Sequence, residues 1–224
     1  MDIQIAGVHD LDEAEDVIAA GATHLGLPLR LPDGREDLGE ADARALVRAV
    51  AGRIETVLIT YQTDPDEILR FAAWLGVGAI QLHGHVDADT VARVRALESR
   101  VFLIQSLVVD GENLRQLLPF AARCAPHVDA FITDTYDPRT GRRGATGLTH
   151  DWSISATLVQ LLDRPLWLAG GLTADNVADG VRATRPAGVD AHTGVEDPRT
   201  GRKDPARMRA FVANAVASAV AAGG

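Results

Sequence analysis

The chain contains one cysteine, Cys124, and one lysine, Lys203, in 224 residues. A single thiol can neither close an internal disulfide nor build a thiolate metal site alone, and its isolation agrees with a reducing compartment. A single amine leaves Schiff-base chemistry one candidate. Long apolar runs are also missing. The longest, Phe211 to Ala222, is Ala-rich, broken by polar residues and shorter than a bilayer requires, so no transmembrane helix and no membrane partner are expected. The opening Met1-Asp2-Ile3-Gln4-Ile5 has neither a basic nor a long apolar leader, and a cytoplasmic location follows as the expectation. Basic runs are absent as well: 22 Lys and Arg against 31 Asp and Glu give a net charge of −9, which disfavours a nucleic-acid partner.

Hydrophobic residues make up 46% of the chain, enough for a packed core. Short apolar, partly β-branched runs alternate with stretches of helical period. Strands are expected near residues 2–6, 24–27, 54–60, 78–82, 101–105, 128–133, 165–168 and 188–191, each followed by a helix. Asp64-Pro65 and Asp204-Pro205 read as helix starts, a capping carboxylate before a proline whose missing N–H is harmless in the first turn. Eight such units in 224 residues leave about 28 residues for each, close to the minimum for a strand, a crossover helix and two loops. The economical architecture is a single α/β domain over 1–224, a (β/α)8 TIM barrel. An open doubly wound sheet is the rival, but no Gly-x-Gly-x-x-Gly follows the first strand.

In such a barrel chemistry sits where strands end and helices begin. The residues there include His9, Arg35, Gln81, His83, His85, Asp134, Asp190 and His192. His24, His127 and His150 are read as ordinary solvated loop residues. Gly144 and Gly147, Gly170 and Gly171, and Thr193-Gly194 fall in consecutive units and would present backbone N–H groups able to cradle a phosphate, although Gly170-Gly171 alone could be a tight turn. Asp134 is expected to end the sixth strand, where a carboxylate can move a proton on a sugar or can simply cap a helix or pair with Arg142 or Arg143.

Five segments, in this order and spacing, resemble phosphoribosylanthranilate isomerase: Gln81-Leu82-His83-Gly84; Asp134; Gly144-Ala145-Thr146-Gly147 with Asp151-Trp152; Leu168-Ala169-Gly170-Gly171-Leu172 with Asn176; and Val189-Asp190 through Glu196 with Gly201 to Asp204. The resemblance implies a (β/α)8 barrel that performs an Amadori rearrangement, aminoaldose phosphate to aminoketose phosphate, in tryptophan biosynthesis and without a cofactor. It implies a small phosphosugar substrate held by Arg35, Gln81, Asp190 and His192, a phosphate on Gly144, Gly147, Gly170, Gly171, Thr193 and Gly194, and Asp134 as general acid. Monomer and homodimer both remain open, since Ala-rich helix faces can pack on a barrel or on a partner.

The chain departs from the family where its base should be. The family's first strand ends Lys-Ile-Cys-Gly, with the cysteine as general base; here the segment is Gln4-Ile5-Ala6-Gly7. Ala6 cannot take a proton, and Cys124 falls on the fifth helix. His9, three residues on, carries an imidazole, the side-chain type suited to proton transfer near neutral pH, and is the nearest substitute in sequence, with His83 and His192 as further candidates. Three functions follow: an isomerase of the same reaction type with a substitute base, a different and possibly metal-assisted reaction on a related phosphosugar, or a non-catalytic protein that binds a phosphorylated metabolite. No metal ligand set is assigned.

Overall fold

The computed structural model describes residues 1–34, 36–84, 86–111, 113–137, 142–143 and 149–222. Its strands are β1 (Asp2–Ala6), β2 (His24–Pro28), β3 (Glu55–Thr60), β4 (Ala79–Leu82), β5 (Phe102–Val109), β6 (Ala130–Asp137), β7 (Arg142–Arg143), β8 (Leu166–Leu168) and β9 (Gly188–Ala191). The helices are α1 (Leu11–Ala20), α2 (Glu40–Ala49), α3 (Pro65–Leu75), α4 (Ala88–Leu97), α5 (Leu114–Cys124), α6 (Trp152–Leu161), α7 (Val177–Thr184) and α8 (Pro205–Ala222). All strands but β7 pair in parallel in the cyclic order β1-β2-β3-β4-β5-β6-β8-β9, and β9 returns to β1. This is the expected closed (β/α)8 barrel.

Period-two alternation divides the apolar residues into two cores. On β1, Ile3 and Ile5 join the large cluster between strands and helices, while Ala6 joins an inner cluster with Ile59, Ile104, Ile132, Trp167 and Ala169. Trp167 is the largest fully buried side chain and closes the lower end of the barrel. Its indole covers Gly188, where an added Cβ would lie 2.8 Å from the ring. The His24 ring meets it edge-on with centroids 4.8 Å apart. His24 is therefore half-buried packing at the end remote from the mouth, and burial lowers its pKa. The solvated-loop reading fails for it because β2 starts one strand layer below the surface its sequence suggested.

Both Asp-Pro helix starts form. Asp64 accepts from the Asp66 and Glu67 N–H groups at 2.9 and 3.2 Å, and Asp204 from those of Ala206 and Arg207 at 2.8 and 3.0 Å. Two boundaries differ from expectation. β5 and β6 stay paired through Val108↔Asp134 and Val109↔Thr135, so both overrun the rim and Asp134 lies within β6 rather than at its end. The overrun also pairs antiparallel with β7, inside a segment expected to be loop. The helical pattern of the sequence runs from Ala174 to Thr184, but α7 begins only at Val177, because the Asn176 side chain accepts from the Thr173 N–H (2.8 Å) and donates to the Gly171 carbonyl (3.0 Å), which holds the preceding residues in a turn.

Gly188→Ala should force the Trp167 ring off its position. A loss of about 1–3 kcal/mol in unfolding free energy is expected from such overpacking, read as a lower urea midpoint at unchanged slope; an unshifted midpoint would show that the lower end of the barrel yields freely.

Candidate active site

Above the apolar plug, the inward positions of four strands turn polar and bond to one another across the barrel. Gln4 on β1 donates from Nε2 to Asp190 Oδ1 at 2.8 Å and to Gln81 Oε1 at 2.9 Å. Gln81 Nε2 lies 2.6 Å from His83 Nε2, and His83 Nδ1 lies 3.2 Å from Asp134 Oδ2. The other oxygen of Asp134 accepts from the Thr135 N–H at 2.8 Å. The amide of Gln81 can only donate to His83, so the imidazole proton sits on Nδ1 and points at Asp134, an assignment by hydrogen-bond logic. One continuous chain thus joins two carboxylates at the mouth, Asp190 on β9 and Asp134 on β6, strands with only β8 between them. Asp190 is deep among protein atoms while keeping surface open to the mouth, and its desolvation, only partly offset by Gln4, raises its pKa.

Two polar atoms in this layer are buried without a partner among the described residues, Gln4 Oε1 and Ser106 Oγ. Ser106 follows Ile104 of the inner cluster by two positions and so faces inward. Sequence reasoning missed it. The available signal was a polar residue at an inward position of an otherwise apolar strand, the same signal that Gln4 gives.

A charged rim surrounds the β1 side of the mouth. His192 Nε2 lies 3.1 Å from Asp37 Oδ2, and its Nδ1 is 3.3 Å from Glu196 Oε1 in a geometry short of a hydrogen bond. Burial alone would lower the His192 pKa, but the two carboxylates prevail and raise it. Asp37 and Glu196 are lowered in turn, burial being outweighed by His192 and Lys203. The Lys203 side chain is wholly buried, its Nζ bound to Glu196 Oε1 at 2.7 Å and to the His192 carbonyl at 3.1 Å. The imidazole of His192 lies against Gly7 so closely that a Cβ there would fall 2.0 Å from Nε2, and Gly7 has a φ of +76°. His9 stands outside the barrel interior, its Nδ1 3.0 Å from Glu13 Oε2 and its Nε2 3.9 Å from Asp37. Glu13 also accepts from Arg202 Nε at 2.8 Å and from the Lys203 N–H at 3.2 Å, fastening the first unit to the last. Asp37 and Glu13 were not legible beforehand, since an acidic residue in a loop or a first helical turn carries no mark of its partner.

The glycine corner is equally tight. Gly170 and Gly171 have φ of +100° and +61°, and a Cβ on Gly194 would fall 1.9 Å from the Leu172 carbonyl oxygen, so the turns after β8 and β9 lie side by side. Thr193 opens a short 3-10 turn, Thr193–Val195, beside them. Arg35, His85, Gly144 and Gly147 lie outside the described residues. Among the described residues no cluster of three or more His, Cys, Asp or Glu is placed to hold a metal, and no helix is long and apolar enough to cross a membrane.

The sequence profile of the N-(5'phosphoribosyl)anthranilate (PRA) isomerase family matches residues 3–214. The chain belongs to the phosphoribosylanthranilate isomerase family. It is 38% identical to the N-(5'-phosphoribosyl)anthranilate isomerase of Haloferax volcanii over 214 residues, spanning 95% of this chain and 92% of that protein. It is 34% identical to N-(5'-phosphoribosyl)anthranilate isomerase 2 of Methanosarcina mazei, with the same coverage of 95% and 92%. The phosphoribosylanthranilate isomerase structure from Thermotoga maritima superposes with a TM-score of 0.81 at 25% identity, covering 97% of this chain and 99% of that one. Within this family barrel, the inner chain from Asp190 to Asp134 occupies the mouth.

His150, expected to be a solvated loop residue, is instead held between Thr135 Oγ1 (3.0 Å from Nδ1) and Ser155 Oγ (2.6 Å from Nε2). Burial pushes its pKa from the ordinary 6.5 down to about 4. The unfolded chain therefore binds a proton near pH 6.5 that the folded chain refuses until about pH 4, so stability is lost as pH falls through that window. The limit of this loss is roughly 3 kcal/mol. His150→Gln should flatten the pH dependence of urea unfolding over that interval; an unchanged slope would assign it to other groups.

Proposed function

We propose that this chain, acting as one domain over 1–224, performs the Amadori-type isomerisation of its family on phosphoribosylanthranilate or a closely related phosphoribosyl amine, with Asp134 as general acid. The observation that carries this reading is the inner chain itself, which holds a carboxylate at each of its ends in the mouth of a family barrel and aims His83 at one of them. An aldose-to-ketose change needs a proton delivered to the ring oxygen while another leaves C2, hence two groups at two atoms of the sugar.

Asp134 supplies the first proton. In the empty mouth it accepts from the Thr135 N–H and from His83, two donors that fix its orientation on β6. Both ring nitrogens of His83 are engaged, so His83 positions Asp134 rather than meeting the substrate. The backbone N–H groups around Gly170, Gly171, Thr193 and Gly194 receive the phosphate, together with Gly144 and Gly147, and the anthranilate carboxylate is met by Arg35. His192, a raised imidazole between two carboxylates, supplies a rim cation for the substrate's polar edge. His9, tied to Glu13 on the rim, takes no part in proton transfer at C2. No cofactor is required by this scheme.

Asp134→Asn retains the shape and the Thr135 contact while removing the acid. Turnover of phosphoribosylanthranilate should fall by at least about a hundredfold, the usual scale for a general acid. A variant of parental rate but lowered thermal stability would make Asp134 a structural carboxylate instead.

A further inference from the structure

The reaction assigned above still wants a group to remove the C2 proton, since the inward side chain at the end of β1 is the methyl of Ala6. We propose that Asp190 takes this proton, so that the catalytic pair of this chain is two carboxylates, Asp134 on β6 and Asp190 on β9, with only β8 between their strands. This rests on the isomerase reading of the same site.

The register places Gln4 beside Asp190, so the vacant position one inward step further along β1 looks onto β9. Two titratable side chains reach that side, Asp190 of β9 and His192 one residue beyond the strand. His192 is gripped by Asp37 at 3.1 Å with Glu196 at 3.3 Å on its other nitrogen, an arrangement that keeps its proton on. Asp190 has the opposite setting. Its Oδ1 accepts from a neutral amide, and among the described residues it makes no ion pair with Lys or Arg. The only lysine is committed to Glu196. A carboxylate that is desolvated and lacks a cation is a better proton acceptor than one in water, consistent with its upward shift.

Gln4 suits this role in a way that an ammonium would not. Its Nε2 now donates to the carboxylate, while its Oε1 is buried without a donor. The neutral amide donates to the carboxylate without bringing a charge that would hold it ionised, whereas an ammonium donates and brings that charge. A lysine in place of Gln4, whose own Nε2 lies 2.8 Å from Asp190 Oδ1, would hold the carboxylate ionised and weakly basic. The replacements at positions 4 and 6 therefore belong together: removing the cation makes Asp190 basic as the thiol that used the cation's field is lost.

The step balances as follows. Asp134 protonates the ring oxygen as the C1–O bond breaks and the nitrogen lone pair forms the C1=N iminium. The C2–H bond then breaks, its proton passes to Asp190, and its electron pair forms C1=C2 as the iminium π pair returns to nitrogen. Asp190 returns the proton to C1, the C2 hydroxyl proton goes to water, and water recharges Asp134. The product is the aminoketose.

The test compares the parent with Asp190→Asn, Gln4→Lys and the double variant Ala6→Cys with Gln4→Lys, all on phosphoribosylanthranilate. Asp190→Asn should lose at least about a hundredfold in kcat with little change in KM. Gln4→Lys should lose at least about tenfold at neutral pH and move the acid limb of kcat/KM to lower pH, because the ammonium lowers the base. The groups facing Asp190 whose titration could contribute to that limb are His83, Asp134 and His192, so the limb must also vanish in Asp190→Asn. Adding Ala6→Cys to Gln4→Lys should restore activity, reversing the sign of the lysine's effect. An Asp190→Asn enzyme within tenfold of an active parent overturns the proposal alone, as does a Gln4→Lys enzyme of parental rate and pH profile. A parent that does not turn over the substrate overturns the isomerase reading, and this proposal with it.

Discussion

The hydrogen bond from Gln4 to Gln81 crosses the inside of the barrel between strands that are not neighbours, and the mouth depends on it. It ties Asp190 on β9 to His83, just past β4, and through it to Asp134 on β6, and it makes a polar layer above an apolar plug of Ile104, Ile132 and Trp167. In such a low-dielectric layer each amide must face the way its neighbours require, so one orientation fixes the next and the His83 tautomer follows. An apolar residue in place of either glutamine would strand buried groups on both sides.

The end of β9 and the residue just past it carry two opposite electrostatic settings, at Asp190 and His192. Around His192 the carboxylates of Asp37 and Glu196, with Lys203 behind them, make a compact ionic rim in which acids are lowered. Asp190, one step deeper, is raised, because its desolvation outweighs the hydrogen bond from the neutral amide of Gln4, and among the described residues it has no Lys or Arg partner. What separates the two is the presence of a cation, since all of these groups are removed from water to some degree.

Much of this was legible in the residues. Alternating strand and helix patterns gave the barrel, the Asp-Pro pairs gave two helix starts, and the strand-end motifs marked Gln81, His83, Asp134, Asp190 and His192 as one cluster, which the structure brings around one mouth. What stayed hidden depends on partners distant in the chain. His150 looks like any loop histidine until Thr135 and Ser155 close on it. Asp37 and Glu13 have meaning only through His192 and Arg202. The overrun of β5 and β6 is a pairing decision that neither strand records alone.

Glu13 binds the segment before α8, and Gln4 binds Asp190 across 186 positions of chain. These bonds form the seam between the first unit and the last. A chain emerging from the ribosome exposes the β1 edge from the start, yet nothing can cover it until β9 has been made. Throughout that interval Gln4 has no carboxylate and Glu13 has neither the Arg202 nor the Lys203 contact. Contacts of such sequence separation are slow to form. The catalytic mouth is thus the last feature to mature, and a nascent chain interrupted before residue 190 would hold most of a barrel and only one of the two carboxylates at its mouth.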